Sequence, residues 1–284
     1  MKKVLITGAN SYIGTSFEKY VKEKGVDFKI DTLDLLNPKW ENYDFSGYDS
    51  VFHVAGIAHF SKDESKKDLY YKVNTELTVE VAKIAKQQGV NQFIFMSSII
   101  VYGDSTNSQR IITKDTHPSP SDFYGDSKWQ AEQRLNKLST PSFNIVILRP
   151  PMIYGKGSKG NYPRLSKLSK TLPIFPKIEN QRSMLHIDNL CECIRQVIER
   201  VESGVFFPQN KEYVCTYELV GEIAASQGKK VYLISVFNPI IKLLFGLDTV
   251  KKVFGNLVYD QEMSHYDFDY QVTDFEESIR LTER

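Results

Sequence analysis

The sequence predicts an α/β fold built on a doubly wound parallel sheet, followed by a smaller C-terminal region. Strand-like apolar runs alternate with helical patterns of about ten to fifteen residues, an order that implies right-handed crossovers between parallel strands. A glycine-bearing turn also follows the first strand directly. Ligands of such sheets bind at the carboxyl ends of the strands, so we expect the functional residues there.

The predicted elements follow one another in that alternating order. A short apolar strand opens at Lys3, and an amphipathic helix covers residues 17–24. Further strands are predicted over 28–35, 50–55, 92–97 and 143–149, with helices over 73–88 and 124–138. Beyond a glycine-rich loop, helices are predicted over 161–170, 188–201, 216–227 and 274–282.

Composition limits the possible partners. The chain has 284 residues, with 36 Lys and Arg against 35 Asp and Glu, so no broad charged surface points to nucleic acid. Its three cysteines have no metal-ligand spacing. We therefore expect no metal site and a reduced, cytoplasmic protein.

One long apolar stretch bears on membrane attachment. Val231 to Leu247 is interrupted by Asn238, Pro239 and Lys242, so it is not expected to span a bilayer. We expect a buried or interface helix that begins near Pro239, with attachment to a membrane surface as the alternative.

The turn after the first strand has the pattern of a dinucleotide-binding site. Gly8 would make the tight bend and Gly14 would let helix and strand approach closely, whereas Ser11 replaces the middle glycine of the usual pattern. A pyrophosphate would lie on the exposed N–H groups at the helix N-terminus. The position directly after a strand favours cofactor binding over a purely structural turn.

Tyr124 and Lys128 are the most informative pair in the chain. Side chains four residues apart lie on the same face of a helix, so the lysine could stabilise a tyrosinate. The phenol is then predicted to have a lowered pKa and to exchange protons near neutral pH. A serine pair, Ser97 and Ser98, ends the strand that precedes this helix.

Together these motifs resemble the extended short-chain dehydrogenase/reductase family, of the NAD-dependent epimerase/dehydratase type. This branch oxidises, reduces and epimerises sugars attached to nucleoside diphosphates, and the resemblance implies a Rossmann fold over nearly the whole chain. It is carried by ordered motifs, namely Thr7 to Gly14, His53 to Gly56, Asn74, Ser97-Ser98 with Val101-Tyr102-Gly103, Tyr124 to Lys128, Arg149-Pro150, and Arg182 to Asp188.

The resemblance also implies roles for individual residues. Tyr124 would be the general acid or base, Lys128 the neighbour that lowers its pKa, and Ser98 the hydrogen-bond partner of the reacting oxygen. The implied cofactor-binding residues are Gly8, Asn10, Ser11, Tyr12, Ile13, Gly14, Asp31, Asp34, Leu35, Ala55, Gly56, Asn74, Tyr124, Lys128 and Pro150. The implied substrate-binding residues are Ser98, Tyr124, Met152, Asn161, Phe175, Pro176 and Arg182, of which Arg182 would bind the diphosphate. His53 is expected to be a packed strand-end residue.

The choice between NAD and NADP stays open. Asp31 and Asp34 both stand near the distance past the glycine turn at which an acidic residue binds the ribose hydroxyls. Asp34 and Leu35 could instead match a later pair beside the adenine. NAD is preferred, because no arginine follows the strand to bind a 2′-phosphate.

The residues after Ser98 restrict the reaction. The 4,6-dehydratases of the family have an Asp-Glu pair directly after the catalytic threonine, whereas Ile99 and Ile100 stand here, so dehydration is excluded. Chemistry at C4 of the sugar remains, either by a 4-epimerase or by a 4-ketoreductase.

A reductase is preferred on a resemblance of the C-terminal stretch. Residues 238–247, 253–257 and 259–260 resemble reductases of UDP-linked 4-keto-6-deoxy-N-acetylhexosamines in bacterial polysaccharide synthesis. Met152 also stands where 4-epimerases have an asparagine that contacts the sugar nucleotide. The alternatives are a 4-epimerase of UDP-glucose and UDP-galactose or their N-acetyl forms, and a cofactor-binding protein without turnover.

Two regions and a homodimer are expected. Residues 1–155, with 183–205 returning to them, are assigned to the dinucleotide-binding domain, and residues 156–182 and 206–284 to the substrate-binding region. Relatives pair through the helices that correspond to residues 73–88 and 124–138. The expected partner is a nucleotide sugar that carries UDP.

Overall fold

The structure, a computed structural model, describes residues 1–58, 63–106 and 108–284. Its strands are β1 (Lys2–Thr7), β2 (Phe28–Leu33), β3 (Ser50–His53), β4 (Gln92–Met96), β5 (Ile111–Ile112), β6 (Asn144–Leu148), β7 (Met152–Tyr154), β8 (Ile174–Pro176), β9 (Met184–His186), β10 (Gly204–Phe206), β11 (Tyr232–Ile234) and β12 (Val258–Tyr259). Its α-helices are α1 (Tyr12–Glu23), α2 (Lys67–Tyr70), α3 (Thr78–Gln87), α4 (Phe123–Asn136), α5 (Asn161–Thr171), α6 (Ile187–Arg200), α7 (Thr216–Ser226), α8 (Asn238–Leu243), α9 (Asp248–Phe254) and α10 (Phe275–Glu283).

Six strands form a parallel sheet in the order β10-β6-β4-β3-β1-β2. The inner strands are near-continuous apolar runs, as expected for a sheet covered on both faces, and Val4 to Ile6 and Phe93 to Phe95 are almost fully buried. This arrangement confirms the predicted fold class.

The carboxyl ends of four strands meet at one edge of the sheet. Thr7 of β1 lies beside His53 of β3, and Met96 of β4 lies beside Leu148 of β6. The chain segments that follow these strands carry most of the predicted cofactor-binding residues. The sheet register therefore brings them to the same edge.

The chain divides into two compact units. Unit 1 comprises residues 1–103, 117–150 and 190–208, and unit 2 comprises residues 104–116, 151–189 and 209–284. The predicted boundaries differ because two short pairings hold segments within unit 2. β7 pairs with β9, and β5 pairs with β12, so residues 151–155, 183–189 and 104–116 all join unit 2.

Unit 2 has its own hydrophobic core and a second parallel strand pair, β8 with β11. Tyr154 and Tyr162 stack with ring centroids 5.1 Å apart, and Val220 and Ile223 of α7 are fully buried beside them in the same cluster. Within the described residues, no helix combines the length and apolar character that crossing a bilayer requires.

Two helices differ from expectation. The predicted helix over 73–88 begins with a π-helical segment, Tyr71–Leu77, that runs into α3. The helix near Pro239 is α8, and it is not buried: 59% of Ile240 and 86% of Leu243 is exposed. The sequence predicted a buried or interface helix here, and the exposure contradicts only the buried option, so the interface and membrane-surface alternatives stay predictions.

Candidate active site

The turn between β1 and α1 requires both of its glycines. Gly8 has φ +106°, and a Cβ there would lie 2.7 Å from the backbone nitrogen of Ala55. A Cβ at Gly14 would lie 2.7 Å from Ser11 Oγ and 3.1 Å from a methyl carbon of Ile6. Gly8 thus allows a tight bend against the end of β3, and Gly14 allows helix and strand to approach closely.

Ser11 caps α1 at the position of the missing middle glycine. Its hydroxyl accepts a hydrogen bond from the N–H of Gly14 at 3.2 Å. Asn10 before it has φ +62°, a left-handed conformation that asparagine tolerates better than most residues. Tyr12 and Ile13 form the first turn of α1, so the predicted residues of this turn are contiguous with the helix N-terminus.

The two acidic candidates for a ribose contact lie differently with respect to β2. Asp31 lies inside the strand and accepts a hydrogen bond from the Tyr48 hydroxyl at 2.9 Å. Asp34 follows the carboxyl end of the strand, where ligands of parallel sheets bind, and accepts the N–H of Leu36 at 2.9 Å. Leu35 packs against the hydrophobic core of unit 1. The geometry therefore favours Asp34 over Asp31 for a ribose contact.

Asn74 holds the loop that follows β3. Its side chain accepts the N–H of Ile57 at 2.9 Å and donates to the carbonyl of Ile57 at 3.0 Å. Gly56 lies between this amide and Lys128, because a Cβ there would be 3.0 Å from Asn74 Oδ1 and 3.1 Å from Lys128 Nζ. No side chain fits at position 56 unless these groups move.

Tyr124 lies in the first turn of α4, which Asp122 caps by accepting the N–H of Gly125 at 2.8 Å. The Ser98 hydroxyl lies close enough to the Tyr124 phenol to lower its pKa, and Ser98 also accepts the N–H of Ile100 at 3.3 Å. The carbonyl of Pro150 accepts the N–H of Ile99 at 2.9 Å and thereby fixes the same loop. Ser98 therefore stays the preferred serine of the pair.

The pKa of Tyr124 differs from the expected direction. Burial raises it to about 12, and the nearby Ser98 hydroxyl only partly opposes this effect. Lys128 does not contribute to this shift. Its Nζ donates to the carbonyl of Met96 at 2.9 Å and lies 4.7 Å from the ring centre of Phe95. Helical spacing predicted that the two residues share a face but not how strongly burial acts on the phenol.

Lys128 is itself perturbed. Burial lowers the pKa of its ammonium to about 8, and the charge of Glu132 opposes this shift. His53 also lies close enough for the charge of Lys128 to lower its pKa. A buried lysine with a pKa near neutrality, beside a phenol and a glycine loop, is typical of a functional site.

Sequence reasoning missed a buried network directly behind this site. Glu132, one turn after Lys128, accepts hydrogen bonds from the guanidinium of Arg149, two of them at 3.1 Å, and from the hydroxyl of Ser97. Arg149 in turn donates to the hydroxyl of Tyr102 at 2.6 Å. The signal available in the sequence was the spacing of Tyr124, Lys128 and Glu132, each four residues from the next.

His53 is a packed residue, as predicted. Its ring nitrogens lie 2.7 Å from Thr7 Oγ1 and 3.0 Å from Thr78 Oγ1, and it is fully buried. Burial lowers its pKa to about 3, so the ring is neutral.

These residues fit a nicotinamide dinucleotide. Gly8 and Gly14 allow the tight turn into the N-terminus of α1, where backbone N–H groups can bind a pyrophosphate. Gly56 brings the loop after β3 close to Lys128, because a Cβ there would lie 3.1 Å from Lys128 Nζ. When bound, the oxidised cofactor supplies a hydride acceptor and a positive charge that favours the tyrosinate. Among the described residues, no cluster of three or more His, Cys, Asp or Glu side chains could hold a metal ion.

Unit 2 contains a separate small cavity. It includes three of the predicted substrate-binding residues, Met152, Asn161 and Arg182. Seven further residues line it, and sequence reasoning had assigned none of them to a substrate site: Leu165, Met184, Val214, Thr216, Leu219, Lys252 and Val253. They come from distant parts of the chain, so no local motif could identify them.

Two predicted substrate residues belong to β8. Phe175 is a core residue, because its side chain is 3% exposed and its ring centre lies 5.7 Å from that of Phe254. The prediction that Phe175 contacts substrate is therefore corrected: strand alternation turns it inward, away from the exposed Ile174. Pro176, next along the strand, is half-buried.

Arg182 is a partly buried cation that is held by a backbone carbonyl. Its Nη1 donates to the carbonyl of Gly255 at 3.1 Å, and burial lowers its pKa to about 10. No carboxylate among the described residues contributes to this shift. Lys252, which is exposed, lines the same cavity. Two cations at one cavity suit an anionic ligand group.

The parallel sheet and the glycine turn after β1 define a Rossmann-type fold, with Lys128 bound to the carboxyl end of β4 and Ser98 following that strand. A sequence model of the NAD dependent epimerase/dehydratase family matches residues 4–213. A UDP-glucose 4-epimerase of Vibrio cholerae is 34% identical over 91% of this chain and 87% of its own length. An N-acetyl-α-D-glucosaminyl-diphospho-ditrans,octacis-undecaprenol 4-epimerase of Escherichia coli O157:H7 is 29% identical over 89% of this chain and 81% of its own.

The chain belongs to the NAD dependent epimerase/dehydratase family. It is an NAD(P)-dependent enzyme. Among solved structures, a dTDP-4-dehydrorhamnose reductase of Clostridium acetobutylicum superposes with a TM-score of 0.76 over 98% of this chain and 97% of its own, at 20% identity. MoeE5 in complex with UDP-glucose and NAD superposes with a TM-score of 0.72 over 99% and 97%, at 18% identity. At these identities the likeness shows the shared fold.

Proposed function

We propose that this enzyme acts at C4 of a UDP-linked sugar, with Tyr124 as the proton donor or acceptor. The proximity of the Tyr124 phenol, the Ser98 hydroxyl and Lys128 at the carboxyl end of β4 carries the proposal. Two such hydroxyls can contact a single carbonyl or alcohol oxygen, hold it in place and move one proton. Arg182 and Lys252 support a diphosphate as the group that anchors the substrate.

Reduction of a UDP-linked 4-keto-6-deoxy-N-acetylhexosamine in polysaccharide synthesis is the preferred reaction. The C-terminal stretch that resembles such reductases contributes directly to the cavity of unit 2, because Val253 lines it and the carbonyl of Gly255 accepts a hydrogen bond from Arg182. Met152 lines the same cavity in place of an asparagine. Ile99 and Ile100 cannot carry a proton, which argues against a dehydratase.

A 4-epimerase is the second candidate, and a specific observation favours it. Two relatives that match about nine-tenths of this chain are named as 4-epimerases, one of UDP-glucose and one of a lipid-linked N-acetylglucosamine. An epimerase needs the same serine, tyrosine and lysine. It differs in retaining its cofactor through a complete cycle.

Cofactor retention and turnover of defined substrates would distinguish the two reactions. A reductase is expected to be purified without cofactor and to consume NADH or NADPH when given a UDP-4-keto-6-deoxy-N-acetylhexosamine. An epimerase is expected to retain NAD and to interconvert UDP-glucose and UDP-galactose, or their N-acetyl forms, without net consumption. Absence of both activities would overturn the proposal and leave a cofactor-binding protein without turnover.

The role of Tyr124 is tested by Tyr124→Phe. Loss of the phenolic proton is expected to reduce turnover by about 100-fold or more, since general acid-base catalysis contributes factors of that order. Tyr20→Phe is the matched control, because Tyr20 is a buried tyrosine that donates to Glu192 and lies outside the candidate site. Equal turnover of Tyr124→Phe and wild type would remove the phenol from the mechanism.

A cytoplasmic homodimer completes the proposal. α3 and α4 correspond to the helices through which relatives of this type pair. Light scattering of the purified chain is expected to give the mass of two copies. A monomer at micromolar concentration would contradict this part of the proposal and leave the reaction untouched.

A further inference from the structure

Unit 2 presents a large apolar surface formed by two neighbouring strands and the segment that follows them. Tyr232 of β11 lies beside Ile174 of β8 in the parallel pair, and both are exposed. We call this surface the lysine-rimmed face. Its apolar members, each at least 41% exposed, are Leu172, Ile174, Tyr232, Val236, Phe237, Ile240, Leu243, Leu244 and Leu247.

Scattered apolar side chains are common on protein surfaces, but here many large ones are exposed close together. Val236 is 72% exposed and Leu243 is 86% exposed, and the nine residues fall into two short stretches that the β8–β11 pairing joins. Contiguous exposed apolar surface of this kind marks a binding site for another molecule or for a membrane.

The segment that carries most of the face has charge of one sign. From Lys229 to Leu247 the chain contains three lysines, Lys229, Lys230 and Lys242, and no acidic residue, although the whole chain is balanced at 36 basic against 35 acidic residues. Lys230 Nζ lies 5.4 Å from the ring centre of Tyr232. A tyrosine beside a lysine at the border of an apolar surface suits the boundary between lipid headgroups and acyl chains.

The same charge pattern argues against a second copy of the chain as the occupant. In a two-fold symmetric contact the patch meets itself, so the lysine rim would face another lysine rim. An anionic lipid surface complements both properties at once, since the apolar side chains enter the headgroup layer and the lysines meet the lipid charges.

We propose that the lysine-rimmed face docks unit 2 on an anionic membrane surface. Docking is peripheral: the exposed side chains of α8 and its flanks insert shallowly, while the backbone stays at the interface. The cavity residues Lys252 and Val253 follow this segment by a few residues in the chain. The proposal stands on exposure and charge alone and does not depend on which sugar the enzyme uses.

Co-sedimentation of the full chain with vesicles tests this docking. We expect binding to phosphatidylcholine vesicles that contain phosphatidylglycerol, about tenfold weaker binding to phosphatidylcholine alone, and weakening in about 1 M salt, where the Debye length falls to about 3 Å. Equal binding to both vesicle types, or no binding at low salt, would overturn the proposal.

Substitutions on the face locate the contact. Leu243→Glu is expected to lower vesicle binding about tenfold, because it places a charge of the wrong sign in the headgroup layer. Val272→Glu, at a 48% exposed residue of unit 2 outside the face, is the matched control and should bind as wild type does. Both variants should keep wild-type thermal melting and wild-type turnover of a soluble substrate.

The oligomeric state distinguishes membrane docking from a contact between two copies of the chain. Light scattering of Leu243→Glu should give the same mass as wild type. If Leu243→Glu instead splits a dimer and wild type binds no vesicles, the face is a contact between copies and the membrane proposal is wrong.

Discussion

At the scale of single residues, Glu132 connects the candidate catalytic helix to the strand ends behind it. It is fully buried and satisfies the guanidinium of Arg149 and the hydroxyl of Ser97, the residue before Ser98. Its charge also raises the pKa of Lys128 against the effect of burial. The Glu132 carboxylate thus helps to position the loop that carries Ser98, and it favours the charged form of Lys128.

Glu132→Gln should strongly destabilise unit 1. The substitution preserves shape but leaves the Arg149 guanidinium buried without its carboxylate, which costs about 3–5 kcal/mol of the free energy of unfolding. Urea unfolding measures the difference. Glu199→Gln removes a half-exposed partner of Arg195 and should change the same free energy by about 1 kcal/mol or less. Similar losses in both variants would contradict the role given to the buried pair.

His53 should make the protein sensitive to acid. Its folded pKa of about 3 lies below the ordinary value of 6.5, so between these values the unfolded chain binds one more proton than the folded chain. Stability therefore falls as pH drops through this window, by about 1.4 kcal/mol per pH unit for one proton.

Urea midpoints of wild type and His53→Gln near pH 7 and near pH 5 check this linkage. The variant loses hydrogen bonds to Thr7 and Thr78 and should be less stable near pH 7, but its stability should fall less between the two values. His265→Gln, at an exposed histidine, should keep the wild-type slope. Parallel slopes for wild type and His53→Gln would show that the buried ring is not responsible.

At the scale of elements, the turn between β1 and α1 places two demands on Gly8. Its φ of +106° disfavours any side chain, and a Cβ would also meet the backbone after β3. Gly25, with φ +62°, shares only the first demand, because a Cβ at that position would have no heavy atom within 4 Å. Alanine substitutions at Gly8 and Gly25 therefore distinguish the effect of backbone strain from the effect of the close contact with the backbone after β3.

Gly8→Ala should reduce cofactor affinity about tenfold or more and destabilise the fold, because Ala55 must move and the turn opens. Gly25→Ala should cost about 1–2 kcal/mol of the free energy of unfolding through strain alone and leave cofactor affinity unchanged. Fluorescence titration with NADH and urea unfolding provide the two measurements. Equal cofactor affinity in both variants would contradict the close-approach argument.

Local patterns predicted the elements of unit 1 well, because each strand and helix carries its own hydrophobic period. They predicted less where distant contacts decide. Phe175 was expected at the substrate through the family resemblance, yet its strand partner and Phe254 bury it. Helical spacing predicted that Lys128 would lower the pKa of Tyr124, but burial, which depends on the packing of distant residues, raises that pKa.

At the scale of the whole molecule, the candidate ligand contacts divide between two compact units. Unit 1 holds the turn, the Ser98–Tyr124 pair and Lys128, and unit 2 holds the cavity with Arg182. Each unit has its own hydrophobic core, so a substitution at the candidate ligand contacts of one unit need not disturb the core of the other. Binding of the two ligands should therefore respond to different substitutions.

Arg182→Gln should weaken UDP binding by about tenfold or more, since a charge-assisted contact to a phosphate contributes about 1.5–3 kcal/mol. Affinity for NADH should stay at the wild-type value. Isothermal titration with each ligand measures both. Arg164→Gln, an exposed arginine on α5, is the control and should leave both affinities unchanged. A loss of NADH affinity in Arg182→Gln would contradict the division.

The pairing of β5 with β12 has a consequence for synthesis on the ribosome. Asn256 Nδ2 contacts the carbonyl of Thr106 across 150 positions of sequence, so the stretch around β5 emerges long before its partner is translated. At roughly 5–20 residues per second, the nascent chain waits about 8–30 s for that partner. During this interval the segment around β5, which precedes α4 in the chain, is accessible to chaperones and proteases. Unit 2 can complete its folding only near the end of translation.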